Sequence, residues 1–131
     1  RGSKPAAYSI DPDYGIAVDV TVGETWDDPK KGSSILGDGA AVKIMDSSVI
    51  CHPDVIKLLE TLAMESKIPF KRDVIVSGGT DAGSIHVARE GVRTGGISIP
   101  CRYLHSPVEM VDLSDVTATV RLMTAFAQKK L

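Results

Sequence analysis

Four groups of polar residues in this sequence carry the side chains that metal-ion or acid–base chemistry requires. They are Asp19 inside an apolar run, the turn Ser77–Asp81, the run Arg102–His105, and Glu109 close behind it. Each lies within, or just after, a segment predicted to be a β-strand. Because ligands of open α/β sheets bind outside the carboxyl ends of the strands, we expect these groups to border one cleft.

Asp19 and His105 form a partial zinc-ligand set, since zinc accepts both carboxylate oxygen and imidazole nitrogen. Val18 and Val20 alternate to the other face of the strand, so the Asp19 carboxylate is expected to point into structured protein. There it must be paired, protonated or metal-bound. A salt bridge or a capping contact explains Asp19 equally well, and an ordinary hydrogen bond explains His105. Two ligands also fall short of the three that catalytic zinc centres use.

The glycine-rich turn Ser77–Thr80 could let backbone amides approach an anion. It lacks the Gly-Lys-Ser/Thr ending of a P-loop and the spacing of a dinucleotide fingerprint, so it is predicted to line a cleft or to be a plain strand-to-helix turn. Ser84 and His86 do not form a hydrolase pair, because residues two apart on a helix point to different sides. We expect His52 and His86 to be structural.

Hydrophobic periodicity predicts the elements that position these residues. The predicted strands are 14–22, 41–45, 73–77 and 92–100, and the predicted helices are 52–67, 82–90 and 115–128. The polar segment 24–38 is predicted to be a long loop, at an oligomer contact or at the rim of the cleft. This order of elements predicts an α/β sheet covered by helices on both faces.

Capping residues and apolar stripes define the predicted helices further. His52-Pro53 opens the first helix, Thr80 or Asp81 can cap the second, and Ser114 is predicted to cap the third. The stripe predicted for the first helix comprises Val55, Ile56, Leu59, Leu62 and Ala63. The stripe predicted for the last helix comprises Val116, Val120, Met123 and Ala127.

The composition is that of one soluble globular domain. The chain has 131 residues, of which 43% are hydrophobic and 24% charged, with a formal net charge of −2. This balance argues against a strongly basic nucleic-acid surface, and no apolar run approaches the ~18 residues of a membrane helix. Cys51 and Cys101 are predicted to be reduced and buried in a cytoplasmic protein, with one disulfide bond between them as the alternative.

Taken in order, several motifs resemble the C-terminal part of the tetrahedral (TET) metallo-aminopeptidases. Members of this family are called glutamyl or deblocking aminopeptidases, and some are called cellulase M or endoglucanase. The resemblance spans essentially all of residues 1–131. It rests on several motifs that occur in this family in the same order. They are Ile16–Thr21, Leu36–Gly39 with Ile44–Asp46, Cys51–Pro53, Ser77–Gly83, and Ile99–Pro100 leading to Arg102–Ser106 and Glu109.

The resemblance implies the C-terminal portion of a three-layer α/β/α zinc-aminopeptidase-like catalytic domain with a mixed, mostly parallel sheet. It implies that Asp19 and His105 are metal ligands and that Gly78, Gly79 and Thr80 lie on the substrate side of the cleft. It also implies two divalent ions (zinc or cobalt), a metal-activated water, a peptide substrate and a homo-oligomer, a tetrahedral dodecamer at full length. In such enzymes an upstream glutamate takes the proton of that water.

The resemblance also places the start of this chain shortly after that glutamate, because Arg1-Gly2-Ser3 matches the end of a run that follows it in the family. The remaining ligands and a small β-rich inserted domain are expected upstream as well. The expectation is therefore that residues 1–131 alone are inactive.

Two other functions compete with this one. A non-catalytic α/β module for binding or assembly would show no metal dependence. An endoglucanase would need two flanking carboxyl groups and usually an aromatic sugar-binding surface, whereas aromatic residues make up only 5% of the chain.

Overall fold

The computed structural model describes residues 1–24 and 34–130. In this part of the chain the helices are α1 Ser3–Ile10, α2 Pro53–Glu65, α3 Ala82–Ile85 and α4 Leu113–Gln128. The strands are β1 Tyr14–Glu24, β2 Ser34–Ile35, β3 Ala40–Met45, β4 Phe70–Val74, β5 Arg93–Arg102 and β6 Met110–Val111.

These strands form one mixed sheet in the order β2-β1-β5-β3-β4, with β6 paired to β5. β1 runs parallel to both β2 and β5, and β3 runs parallel to β4. The junction between β3 and β5 is antiparallel, as is the short β5–β6 pair. Because β3 and β5 are antiparallel, the carboxyl ends of β3 and β4 lie at the opposite end of the strands from the carboxyl ends of β1 and β5.

Helices cover both faces of this sheet, as predicted. Successive residues of a strand point to opposite faces, and on β1 Ile16 packs with the main core while Ala17 belongs to a second cluster. The main core joins α2 and α4 to the sheet through buried residues such as Leu59, Ile97 and Leu122. The second cluster includes Ala82 of α3, and α1 packs on α3. The result is a three-layer α/β/α arrangement.

The predicted start and stripe of α2 are confirmed. His52 is the N-cap, its Nδ1 accepts the Asp54 N–H at 3.3 Å, and Pro53 occupies the first helical turn. Of the predicted stripe, Val55, Leu59, Leu62 and Ala63 are buried and Ile56 is half-buried. Apolar spacing and capping chemistry agree here, so local sequence alone determines the element.

Other predicted boundaries are wrong. The third strand occupies 70–74 instead of 73–77, and the second helix is a single turn at 82–85 instead of 82–90. Helix α1 was not predicted at all. Of the segment predicted as a long loop at 24–38, residues 34–35 form β2, whereas 25–33 lie outside the described residues.

The buried face of α4 also differs from the prediction. Asp112, not Ser114, is the N-cap, and its Oδ1 accepts the backbone N–H and the hydroxyl of Ser114 at 2.7 and 2.6 Å. The buried residues are Asp115, Ala118, Thr119, Leu122 and Phe126, whereas Val120 is exposed. Asp115 is buried because its two oxygens accept the N–H groups of Gly37 and Gly39, each at 2.8 Å. The same face buries Ala118, Leu122 and Phe126 in the main core.

Both cysteines are free and buried, which confirms that part of the prediction. Burial, reinforced by the nearby charge of Asp46, raises the pKa of the Cys51 thiol to about 11. Within residues 1–24 and 34–130, none of the helices has the length and apolar character needed to cross a bilayer.

Candidate functional site

One cleft brings the five predicted site residues together. It has a volume of about 370 Å³, and its walls include Asp19, Gly78, Gly79, Thr80 and His105. β1 supplies Asp19, the segment after β4 supplies the glycines and Thr80, and the loop after β5 supplies His105. The expectation of a shared cleft therefore holds for these five residues, whereas Asp81, Arg102 and Glu109 of the predicted groups are not among the residues that line it.

The route by which these residues meet differs from the prediction. β4 runs antiparallel to β5, so the turn after β4 and the loop after β5 leave the sheet at opposite ends of its strands. Asp19 is not at a strand end either, because β1 continues to Glu24. The cleft therefore lies over a face of the sheet.

The Asp19 side chain is exposed, which corrects the expectation that it points into packed protein. Its Oδ1 accepts the backbone N–H of Val20 at 2.8 Å. No hydrogen bond to its other oxygen is found within the described ranges. A carboxylate with one oxygen held and one open to a cleft can bind a cation without first losing an ion pair.

His105 lies in a loop with a constrained backbone. Tyr103 and His105 have φ values of +60° and +62°, a left-handed conformation that is uncommon for residues other than glycine. The His105 N–H donates a hydrogen bond to Oε1 of Glu109 at 2.6 Å, and the Arg102 guanidinium lies 4.9 Å from the centre of the Tyr103 ring. Glu109 therefore braces the loop from which the imidazole of His105 projects.

Beneath the cleft, a buried ion pair joins two strands. Lys43 of β3 and Asp73 of β4 are both fully buried, and the Lys43 ammonium contacts Asp73 directly. The same ammonium donates a hydrogen bond to Oγ1 of Thr21 at 3.4 Å. Thr21 lies on the same face of β1 as Asp19 and lines the cleft. The floor of the cleft is thus tied to the interior of the sheet.

The donors in the cleft fit a divalent ion in kind but not in number. Asp19 offers a carboxylate and His105 an imidazole, both suited to zinc and similar first-row ions. Among the described residues, no group of three or more His, Cys, Asp or Glu side chains is arranged to hold a metal. Within the described residues, Asp19 and His105 therefore do not make a complete metal site.

The other histidines have the structural roles predicted for them. His52 caps α2, and the ring of His86 lies 3.1 Å from the carbonyl oxygen of Ala82. Both border another hollow of about 370 Å³, and none of the described residues that line it carries a carboxylate. Asp81 precedes α3 but makes no side-chain cap; its Oδ1 accepts the Ser3 hydroxyl at 2.8 Å instead.

Two residues that shape the cleft, Asp46 and Thr21, stand in the motifs that carry the family resemblance, but the sequence assigned neither of them a role in the site. Asp46 is buried and accepts hydrogen bonds from the cleft-lining turn. The Asp46-Ser47-Ser48 sequence is typical of a turn in which an aspartate bonds its own downstream backbone, and that pattern could have indicated it. Thr21 had no local signal, because its contact with Lys43 joins residues 22 positions apart.

Comparison with known proteins adds an independent finding. The sequence profile of the M42 glutamyl aminopeptidase family matches residues 1–122. A protein of Acetivibrio thermocellus to which aminopeptidase activity is attributed is 49% identical over 125 residues. That match covers 94% of this chain, and the chain spans 37% of the relative's length.

Solved structures show the same similarity. An aminopeptidase from Desulfurococcus kamchatkensis superposes with a TM-score of 0.88 at 43% identity, covering 95% of this chain and 36% of that one. The TET1 peptidase of Pyrococcus horikoshii, which can assemble into a tetrahedron or a large octahedral shell, superposes at 0.82 with 28% identity, covering 98% and 37%. A Thermotoga maritima protein called an endoglucanase superposes at 0.71 with 25% identity, covering 96% and 37%.

Proposed function

The chain belongs to the M42 glutamyl aminopeptidase family, and from this premise we propose that it supplies part of the active site of a dinuclear, metal-dependent aminopeptidase. The observation that carries the proposal is the shared cleft, in which Asp19 and His105 meet the Gly78–Thr80 turn.

Each residue has a proposed role. Asp19 and His105 would hold divalent metal ions, zinc or cobalt, which when bound acidify a water and polarise a peptide carbonyl. Glu109 orients His105 by accepting a hydrogen bond from its backbone. Gly78 and Gly79 keep the wall of the cleft free of side chains, so a peptide backbone can approach. The Thr80 hydroxyl donates its proton to Asp46, so its oxygen would serve a substrate as an acceptor.

Residues 1–131 alone are proposed to be inactive. Asp19 and His105 fall short of the three protein ligands of catalytic zinc sites. Within the described ranges Asp19 is also the one carboxylate that lines the cleft, which leaves no separate general base there. For the whole protein we propose a peptide substrate, a cytoplasmic location and a homo-oligomer resembling the tetrahedral dodecamers of the family.

The test is metal binding and turnover by the gene product that carries this chain. Metal-free protein is reloaded with zinc or cobalt, bound metal is counted by mass spectrometry, and aminoacyl-anilide hydrolysis is measured. We expect Asp19→Ala and His105→Ala each to lower bound metal by about one ion per chain and activity at least ~100-fold. Asp54→Ala and His86→Ala are the matched controls and should retain both.

Two results would overturn the proposal. Unchanged metal content in both cleft variants would favour the non-catalytic module. Release of reducing sugar from soluble cellulose, without anilide hydrolysis, would favour the endoglucanase. The isolated 131-residue chain should show no anilide turnover with either metal.

A further inference from the structure

The wall of the cleft formed by residues 75–80 has little structure of its own. It follows β4, contains no helix or strand, and ends where α3 begins. Gly78 has a φ of +88°, and among the described residues no atom lies within 4 Å of where its Cβ would be. Glycines also give the chain more freedom than other residues. A fixed position for this wall therefore requires contacts from elsewhere.

One buried carboxylate supplies those contacts. Asp46 follows β3 and is 3% exposed. Its Oδ2 accepts both the backbone N–H of Thr80, at 3.0 Å, and the Thr80 hydroxyl, at 2.9 Å. Its Oδ1 accepts the N–H and hydroxyl of Ser48 and the N–H of Val49, at 2.7, 2.6 and 3.1 Å. Asp46 thus joins its own loop to the turn through both oxygens.

The loop after β3 and the cleft turn also touch directly. The backbone N–H and the hydroxyl of Ser47 both donate to the carbonyl oxygen of Gly78, at 3.1 and 2.8 Å. A Cβ at Gly79 or Gly83 would lie 2.8 or 2.2 Å from the Ser48 hydroxyl oxygen. The close approach of the loop after β3 to the cleft turn and to α3 therefore depends on the absence of side chains at Gly79 and Gly83.

The charge of Asp46 strengthens this attachment. Burial opposes ionisation, but the hydrogen bonds from Ser48 and Thr80 together outweigh it and hold the pKa of Asp46 below its usual value. The carboxylate is therefore ionised at neutral pH, and hydrogen bonds to an ionised acceptor are stronger than those between neutral groups.

We propose that Asp46 is a positioning residue for substrate binding, which holds the Gly78–Thr80 wall of the cleft at a fixed distance from Asp19 and His105. It touches neither substrate nor metal and acts through Thr80. The inference rests on the proposed aminopeptidase function for its kinetic consequence, but not for its structural one.

The decisive variant is Asp46→Asn. An asparagine keeps one oxygen for the Ser48 contacts but presents an amide, itself a donor, to the two Thr80 donors. Asp112→Asn is a matched control, because Asp112 makes the same pair of contacts to Ser114, two residues downstream, at the start of α4. Both variants lose an Asp–Ser turn carboxylate, but only Asp46 is hydrogen-bonded to the turn that lines the cleft.

Hydrogen exchange of the Thr80 amide is the first readout. We expect exchange about tenfold faster in Asp46→Asn and unchanged exchange in Asp112→Asn. The second readout is steady-state kinetics of the metal-loaded gene product with an aminoacyl anilide. A displaced wall should raise KM about tenfold in Asp46→Asn and change kcat less than about threefold, because substrate then binds only the fraction of molecules with the wall in place.

Each outcome decides a separate question. The positioning role is overturned if the Thr80 amide exchange rate and the KM of Asp46→Asn equal those of Asp112→Asn. A wild-type gene product that hydrolyses no anilide removes the proposed function, while the exchange result still decides whether Asp46 holds the turn. If Asp46→Asn does not fold, Ser48→Ala carries the test, with a smaller increase expected in both exchange and KM and wild-type values counting against the role.

Discussion

The buried ion pair beneath the cleft gives a stability prediction with a large expected effect. Lys43 and Asp73 are register partners on the parallel strands β3 and β4, and both side chains are fully buried. Lys43→Met keeps an unbranched apolar chain of similar length and removes the ammonium. Asp73→Asn keeps the shape of the side chain and removes the carboxylate charge.

The expected cost follows from what each single change leaves behind. Lys43→Met leaves the Asp73 carboxylate buried without this cation, and Asp73→Asn leaves the Lys43 ammonium without this anion. Breaking a buried pair in this way costs about 3–5 kcal/mol, out of roughly 5–15 kcal/mol of unfolding free energy for a typical domain. The double variant leaves neither charge, so it should lie within about 2 kcal/mol of wild type.

Urea unfolding followed by circular dichroism measures all four proteins of this cycle. The exposed pair of Arg72 and Glu60 is the comparison, because the Arg72 side chain is 69% exposed and surface pairs contribute only about 0–1 kcal/mol. Arg72→Met should therefore change stability by less than about 1 kcal/mol. The reasoning is refuted if Lys43→Met costs no more than Arg72→Met, or if the double variant loses the sum of the two singles.

Three further outcomes are expected from backbone, thiol and carboxylate chemistry. Gly39→Ala should cost at least about 3 kcal/mol of unfolding free energy, because its φ is +104° and a Cβ would lie 2.1 Å from the Pro69 carbonyl oxygen. Gly78→Ala, with φ +88° and no atom of the described part of the chain within 4 Å of the new Cβ, should cost only about 1 kcal/mol; equal costs for the two variants would contradict the steric argument. The Cys51 thiol, with a pKa of about 11 and 1% exposure, should react with iodoacetamide at about pH 8 only when the protein unfolds, so rapid labelling of native protein counts against it. Because the pKa of Asp46 is lowered from 3.8, its ionisation stabilises the fold above that pH and the benefit is lost as pH falls below it; the stability advantage of wild type over Asp46→Asn should therefore vanish in acid unfolding curves.

Some elements are determined by local sequence. The α2 helix has its cap, its proline and its apolar stripe within 14 residues, 52–65, so the prediction needs no distant partner. The long strands β1 and β5 were predicted for a similar reason, since their β-branched residues favour an extended backbone. The chemistry-bearing residues Asp19 and His105 could also be identified by type and position along the chain.

Other features depend on contacts between residues that are far apart in the sequence. The buried face of α4 carries Asp115 beside Leu122 and Phe126, and the Asp115 oxygens accept backbone N–H groups 76 and 78 positions earlier. Periodicity cannot detect this, since a buried aspartate looks polar until its donors are known.

The sequence by itself determined which residues could do chemistry, because side-chain type and local spacing are written in it. The tertiary structure alone decided that β3 joins the sheet antiparallel to β5. The turn after β4 therefore reaches the cleft from the opposite end of the strands to the loop after β5. The tertiary structure also decided that Asp46 holds Thr80 in place, across 34 positions. Strand pairing and long-range hydrogen bonds depend on which surfaces meet when the chain folds, and no local pattern of residues encodes that choice.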